Sequence, residues 1–215
     1  MKSLHIKICG LTSLVDARAA VAAGADAVGL VFYAPSPRAV SVAQARAIAL
    51  GIGPFTVATG LFVDADPGFV QSVLAEVPLQ LLQFHGSESR AYCESFQRPY
   101  MKAIRMRPEL DVVAAMAEYP SASAILLDAY RPGVPGGTGE TFDWGRVPQH
   151  TSRPLVLAGG LAPENVANAI SATRVYGVDV SGGVESAPGV KDHEKIHRFI
   201  TCALQASAQL NSKGD

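Results

Sequence analysis

An excess of basic charge is missing from this chain: Lys and Arg total 18 against 19 acidic residues, a net charge of -1. That balance excludes a broad electrostatic attraction to nucleic acid or to an anionic membrane, and no basic run interleaved with aromatics compensates for it. Cysteine is scarce. Cys9, Cys93 and Cys202 form no C-x-x-C pair and no Cys/His cluster at zinc spacing. An odd number of cysteines without a secretory signal points to a reducing compartment. Long apolar runs are lacking too. The most apolar stretch, Ala25 to Ala34, contains Asp26 and is far too short to span a bilayer. A soluble, cytoplasmic protein is therefore expected. No G-x-G-x-x-G follows the first strand, and Gly136-Gly137-Thr138-Gly139 lacks the Lys-Ser/Thr of a Walker motif. Neither a metal nor a nucleotide cofactor is expected.

What is present is an alternation of short aliphatic runs with helical segments. Hydrophobic residues make up 48% of the 215, enough to bury one large core. Strands are expected over Leu4 to Cys9, Asp26 to Phe32, Phe55 to Val63, Leu79 to Phe84, Tyr100 to Ile104, Ala122 to Leu127, Leu155 to Ala158 and Val175 to Val180. Between them, a helix is capped by Thr12 or Ser13 and ended by Gly24, and a second spans Ser41 to Leu50. Pro67 opens the third and Ser87 the fourth; others cover Pro108 to Tyr119, start near Pro163 and run from about Val190 to Ala208. The result is eight βα units at a spacing of roughly 25 residues, with strands too aliphatic for a one-sided sheet. The expected fold is a single-domain α/β protein, a closed (β/α)8 TIM barrel over residues 1–210, followed by a frayed tail at 211–215. A doubly wound open sheet is the main competitor.

In such a barrel the inward residue at the end of each strand reaches the C-terminal rim, where active sites lie. Cys9 ends the first strand on the face opposite Leu4, Ile6 and Ile8. It is either a small buried hydrophobe or a thiol placed for chemistry. Asp128 ends the sixth strand, three steps around the ring, so the two face each other across the mouth; the carboxylate is either a proton donor there or a loop cap. Gly159-Gly160 and Gly182-Gly183 follow the seventh and eighth strands, the recurrent phosphate site of barrels, and with Ser181 they predict a cradle of backbone N–H groups. Arg38 follows the stiff turn Pro35-Ser36-Pro37 and is either solvated or a bidentate clamp for a substrate carboxylate. Gln83 and His85 share one face at the end of the fourth strand and order the substrate, unless His85 is simply a hydrogen-bonded structural residue. Asp179, on the eighth strand beside the first, pairs with Lys7, whose charge would otherwise stand alone in the lumen. The sharper alternative for Lys7 is a Schiff-base amine. The Gly136 to Gly139 loop reads as a lid.

Taken together, Lys7-Ile8-Cys9-Gly10-Leu11-Thr12, Gln83-Phe84-His85-Gly86, Leu126-Leu127-Asp128, Gly136-Gly137-Thr138-Gly139 with Phe142-Asp143-Trp144, Leu157-Ala158-Gly159-Gly160-Leu161 and Val178-Asp179-Val180-Ser181 resemble the phosphoribosylanthranilate isomerase family. The resemblance runs from Ile6 to the last helix with the motifs in order. It implies an Amadori rearrangement of a phosphorylated aminosugar in tryptophan biosynthesis, without a cofactor. By that resemblance Asp128 is the general acid that opens the furanose ring, and Cys9 the base that removes the C2 proton. Arg38 matches the position that holds the anthranilate carboxylate, and the two glycine loops match the phosphate site. Two positions depart from the family pattern. Gly182 stands where a second serine is usual, costing about one hydrogen bond, ~1 kcal/mol. Phe84 replaces the more usual leucine as a packing change. A related histidine-pathway isomerase typically uses two aspartates, and Cys9 argues against that substrate. Two other functions compete: a Schiff-base aldolase using Lys7, and a catalytically silent phosphate-binding barrel.

Overall fold

The computed structural model describes residues 4–130 and 141–212. Eight parallel strands close in chain order: β1 (His5–Cys9), β2 (Ala27–Val31), β3 (Val57–Phe62), β4 (Leu81–Phe84), β5 (Tyr100–Met106), β6 (Ala124–Ala129), β7 (Leu155–Leu157) and β8 (Gly177–Val180). Pairing of Ile6 with Val178 and of Lys7 with Asp179 closes the ring, which rules out the open sheet.

The period of two along each strand makes the wall. Leu4, Ile6 and Ile8 point outward and are 1% exposed or less. With Val28, Leu30, Phe62, Phe84, Ile125, Leu127, Val178 and Val180 they join the main core, between barrel and helices. Each such side chain contributes about 1.5–3 kcal/mol on burial. The inward positions form two small clusters of their own. Met101, Ala103, Leu126 and Ala158 fill the lumen, while Cys9, Val31 and Leu61 sit at the mouth beside Tyr33 and Val63.

Among the described residues seven α-helices cover the wall: α1 (Leu14–Ala23), α2 (Val42–Gly51), α3 (Pro67–Glu76), α4 (Arg90–Glu94), α5 (Val112–Ala117), α6 (Val166–Thr173) and α7 (His193–Ser212). Their ends follow local chemistry. Ser13 rather than Thr12 caps α1, accepting from the Asp16 N–H, and Gly24 ends it at φ 108°. Ser41 and Gln44 form a reciprocal capping box, and Pro67 occupies the first turn of α3 behind Asp66.

Several expected spans move. The fourth helix starts at Arg90 because Ser89 is its cap, while the Glu88 carboxylate just upstream is held by Lys102 and by the backbone of Asp64 and Gly86. The fifth is shortened to Val112–Ala117, capped by Asp111. The sixth of the eight expected βα units has no α-helix among the described residues, in keeping with the absence of a helix signal after its strand; a 3-10 turn, Trp144–Arg146, precedes β7. After β8 a hairpin of Glu185–Ala187 and Val190–Lys191 delays α7 to His193. That helix continues through Asn211 and Ser212, the first residues expected to fray. The expected lid, Gly136 to Gly139, lies outside the described residues.

Candidate active site

The strand ends surround a cavity of about 390 Å³ at the C-terminal mouth. Cys9, Arg38, Gln83, His85, Asp128, Gly159, Gly160, Asp179, Ser181, Gly182 and Gly183 all line it, whereas Lys7 does not. Val31, Tyr33, Leu61 and Val63, at the ends of the second and third strands, add an apolar wall.

On one side, Lys7 donates to the Asp179 carboxylate at 2.9 Å, with both side chains almost completely buried. Burial alone depresses the Lys7 pKa, but Asp179 and Cys9 lift it above the ordinary lysine value. A nucleophilic amine needs the reverse, so the Schiff-base reading fails and Lys7 stays an ammonium. Two residues along the same strand face, burial pushes the Cys9 thiol above its ordinary range; Lys7 pulls it part of the way back and Asp179 pushes it further up. Gly29 makes room for the thiol, since a Cβ at that position would lie 2.6 Å from Cys9 Sγ.

On the opposite side, Asp128 Oδ2 is 2.8 Å from His85 Nε2, and His85 Nδ1 is 2.9 Å from Gln83 Nε2. The loop carrying His85 is braced from behind. Arg105 donates to the His85 carbonyl, and Lys102 ties Glu88 to the Phe84 and Gly86 carbonyls.

The two glycine loops meet at the third side. Gly159 and Gly160 have φ of +80° and +64°, where L side chains are strained. Asn165 fixes their loop by accepting from the Ala162 N–H and donating to the Gly160 carbonyl. Gly183 packs directly on the Leu161 carbonyl, with no room for a Cβ. Gly182 opens a 3-10 turn, Gly182–Val184, after β8, and both of its glycines line the cavity.

Arg38 is where sequence reasoning was least complete. Its Nε and Nη2 each donate at 2.8 Å to the two oxygens of Glu185, which Lys191 also contacts at 2.8 Å. Burial would raise the Glu185 pKa, yet Arg38 and Lys191 hold it below the ordinary carboxylate range. Glu185 and Lys191 come from the unanticipated hairpin. Glu185 ends the Ser181-Gly182-Gly183-Val184-Glu185 segment, so its place near the rim was the available signal. Among the described residues no group of three or more His, Cys, Asp or Glu side chains could hold a metal ion, and no helix is long and apolar enough to cross a membrane.

The family described as N-(5'phosphoribosyl)anthranilate (PRA) isomerase matches residues 6–202. The chain belongs to that family. An N-(5'-phosphoribosyl)anthranilate isomerase from Pseudomonas fluorescens is 58% identical over 200 residues, 93% of this chain and 98% of that one. The crystal structure of phosphoribosyl anthranilate isomerase from Thermotoga maritima superposes with a TM-score of 0.86 at 42% identity, covering 93% of this chain and 98% of the other. A further isomerase structure, in complex with reduced 1-(o-carboxyphenylamino)-1-deoxyribulose 5-phosphate, superposes at 0.80 with 39% identity, covering 93% and 98%.

Proposed function

We propose that this chain converts N-(5-phosphoribosyl)anthranilate to 1-(2-carboxyphenylamino)-1-deoxyribulose 5-phosphate, a step of tryptophan biosynthesis, by acid–base catalysis. The observation that carries this is the placement of Cys9 and Asp128 on opposite walls of one cavity whose third side is the pair of glycine loops. The substrate phosphate binds the N–H groups of the Gly159-Gly160 and Gly182-Gly183 loops beside Ser181. Its aromatic ring lies on the wall of Val31, Tyr33 and Leu61, and the ring carboxylate meets the Arg38 donors that Glu185 leaves over. Asp179 holds Lys7 and lines the sugar side.

Asp128 gives its proton to the furanose oxygen. The C1–O bond breaks as the anthranilate nitrogen lone pair forms a C=N bond, leaving a cationic iminium. Cys9, as thiolate, takes the proton from C2; the C2–H electrons form a C1–C2 double bond and neutralise the nitrogen. The resulting enolamine tautomerises to the ketone. Burial and Asp179 push the Cys9 thiol up, while the Lys7 ammonium on the same strand face pulls it down and so favours the thiolate that this step uses. No covalent enzyme intermediate forms.

The test follows the fluorescence of freshly made phosphoribosylanthranilate after adding the protein. Accelerated decay is expected, and Cys9→Ala and Asp128→Ala each abolish it without loss of fold. No acceleration by the parent chain, or full activity in either variant, refutes the assignment.

A further inference from the structure

We propose that Gln83 and His85 act together as a positioning pair that decides which oxygen of Asp128 carries the catalytic proton. The inference rests on Asp128 being the general acid. His85 touches Asp128 through Nε2 and Gln83 through Nδ1, and exposure is 7% for His85, 4% for Asp128 and none for Gln83. Solvent therefore cannot rearrange this chain of hydrogen bonds freely, and its direction is set by the amide.

Two directions are possible. With Gln83 Nε2 toward the ring, Nδ1 accepts, so Nε2 carries the hydrogen and donates to Asp128 Oδ2. Gln83 Oε1 is then a buried acceptor without a partner among the described residues. With the amide reversed, Nδ1 donates and Nε2 accepts, which requires the Asp128 proton to sit on Oδ2, pointed at the histidine. That arrangement buries an amide NH2 with two idle donors, and buried N–H groups without partners are rarer than under-used carbonyls. The first direction is favoured.

Its consequence is geometric. Oδ2 is occupied as an acceptor whether or not Asp128 is protonated, so the acidic proton resides on Oδ1. Oδ1 is the oxygen beside the Gly159 loop, where a Cβ on Gly159 would approach it to 2.9 Å. That side belongs to the cavity wall next to the glycine cradle. The proton leaves Oδ1 for the furanose oxygen as C1–O breaks, and the new carboxylate already holds the His85 N–H on its other oxygen. His85 moves no proton; it aims the acid and steadies the charge left behind.

The experiment reads the ring directly. In protein labelled with 15N histidine, the His85 signals are assigned by their loss in His85→Gln, from among the five histidines. The expected resting state has Nε2 protonated and Nδ1 bare. Nδ1 protonated with Nε2 bare, or a doubly protonated ring, overturns the proposal. Kinetics give the second arm. His85→Leu is expected to lower kcat about tenfold to hundredfold, the worth of one hydrogen bond to a charged group, with KM held within about twofold. His85→Gln, which keeps an N–H donor, recovers most of that loss. A rise in KM at unchanged kcat would mean that the ring binds substrate instead, and sinks the idea. Gln83→Met is expected to mix the two tautomers and lower kcat; a changed tautomer at wild-type kcat also counts against it. Full activity in Asp128→Asn would remove the acid assignment while leaving the tautomer result standing, so the two failures are distinguishable.

Discussion

Asp179→Asn isolates the charge balance of the barrel lumen. Lys7 and Asp179 meet at 2.9 Å with side-chain exposures of 6% and 7%. Asparagine keeps the shape and an acceptor oxygen, so the variant removes little but the negative charge. What remains is an ammonium in the lumen with no counter-charge, which costs about 3–5 kcal/mol when a buried pair is broken. For a chain of this size each kcal/mol is worth about 2–4 °C, so the melting temperature should fall by about 6–20 °C. Urea denaturation followed by circular dichroism measures the loss, with the m-value unchanged. Lys7→Met combined with Asp179→Asn removes the stranded charge, and this double variant should recover to within about 2 kcal/mol of the parent, because replacing both partners of a buried pair is often close to neutral. The pH dependence has a definite sign. Lys7 is raised above its ordinary 10.5, so its contribution is fully present below that value and is lost as pH climbs through the higher folded value. The parent should therefore lose this increment on the alkaline side and the double variant should not. A loss under about 1 kcal/mol in Asp179→Asn, or a double variant as unstable as the single, would refute the reasoning.

Other outcomes follow from the same geometry. Alkylation of Cys9 by iodoacetamide should have its midpoint above the ordinary 9.0, moving down in Asp179→Asn, which lacks the carboxylate that pushes it up; a parent midpoint at or below 9.0 contradicts this. Glu185→Gln frees Arg38 from its two-point grip and should raise KM about tenfold with kcat nearly unchanged, since a carboxylate anchor acts alike on ground and transition states; a fall in kcat alone is the opposing result. Gly29→Ala places a Cβ 2.6 Å from Cys9 Sγ and 3.0 Å from Cys9 Cα, so the thiol must shift and activity should drop about a hundredfold in a folded protein. Gly53→Ala has nothing within 4 Å at φ +82° and is the control: a stability cost of about 1–2 kcal/mol with full turnover.

The barrel was readable because its physics is local. Alternation of Leu4, Ile6 and Ile8 with Lys7 and Cys9 assigns faces to one strand without reference to any other, and eight such runs separated by helix signals leave a closed parallel sheet as the economical packing. Capping signals placed α1 to α3 nearly to the residue. The short helix α4 was overextended because Glu88, just upstream of its Ser89 cap, is taken up in a buried ion pair with Lys102, which no local pattern announces, and α5 because Asp111 caps it later than Pro108 suggested. The hairpin at Glu185–Lys191 was missed for a similar reason: residues reading as the start of a helix pair with each other and reach across to Arg38.

The site divides along the same line. Sequence by itself determined the parts, since strand ends and paired glycines have fixed places in a barrel: the thiol, the carboxylate, the histidine, the guanidinium and the two glycine loops all line one cavity. Only the tertiary structure decided how they are connected. Lys7 is bound to Asp179, Arg38 to Glu185, and Asp128 to His85, across separations of 172, 147 and 43 residues. Those pairings depend on ring closure and on where each rim loop turns back, quantities set by packing of the whole wall and carried by no single stretch of chain.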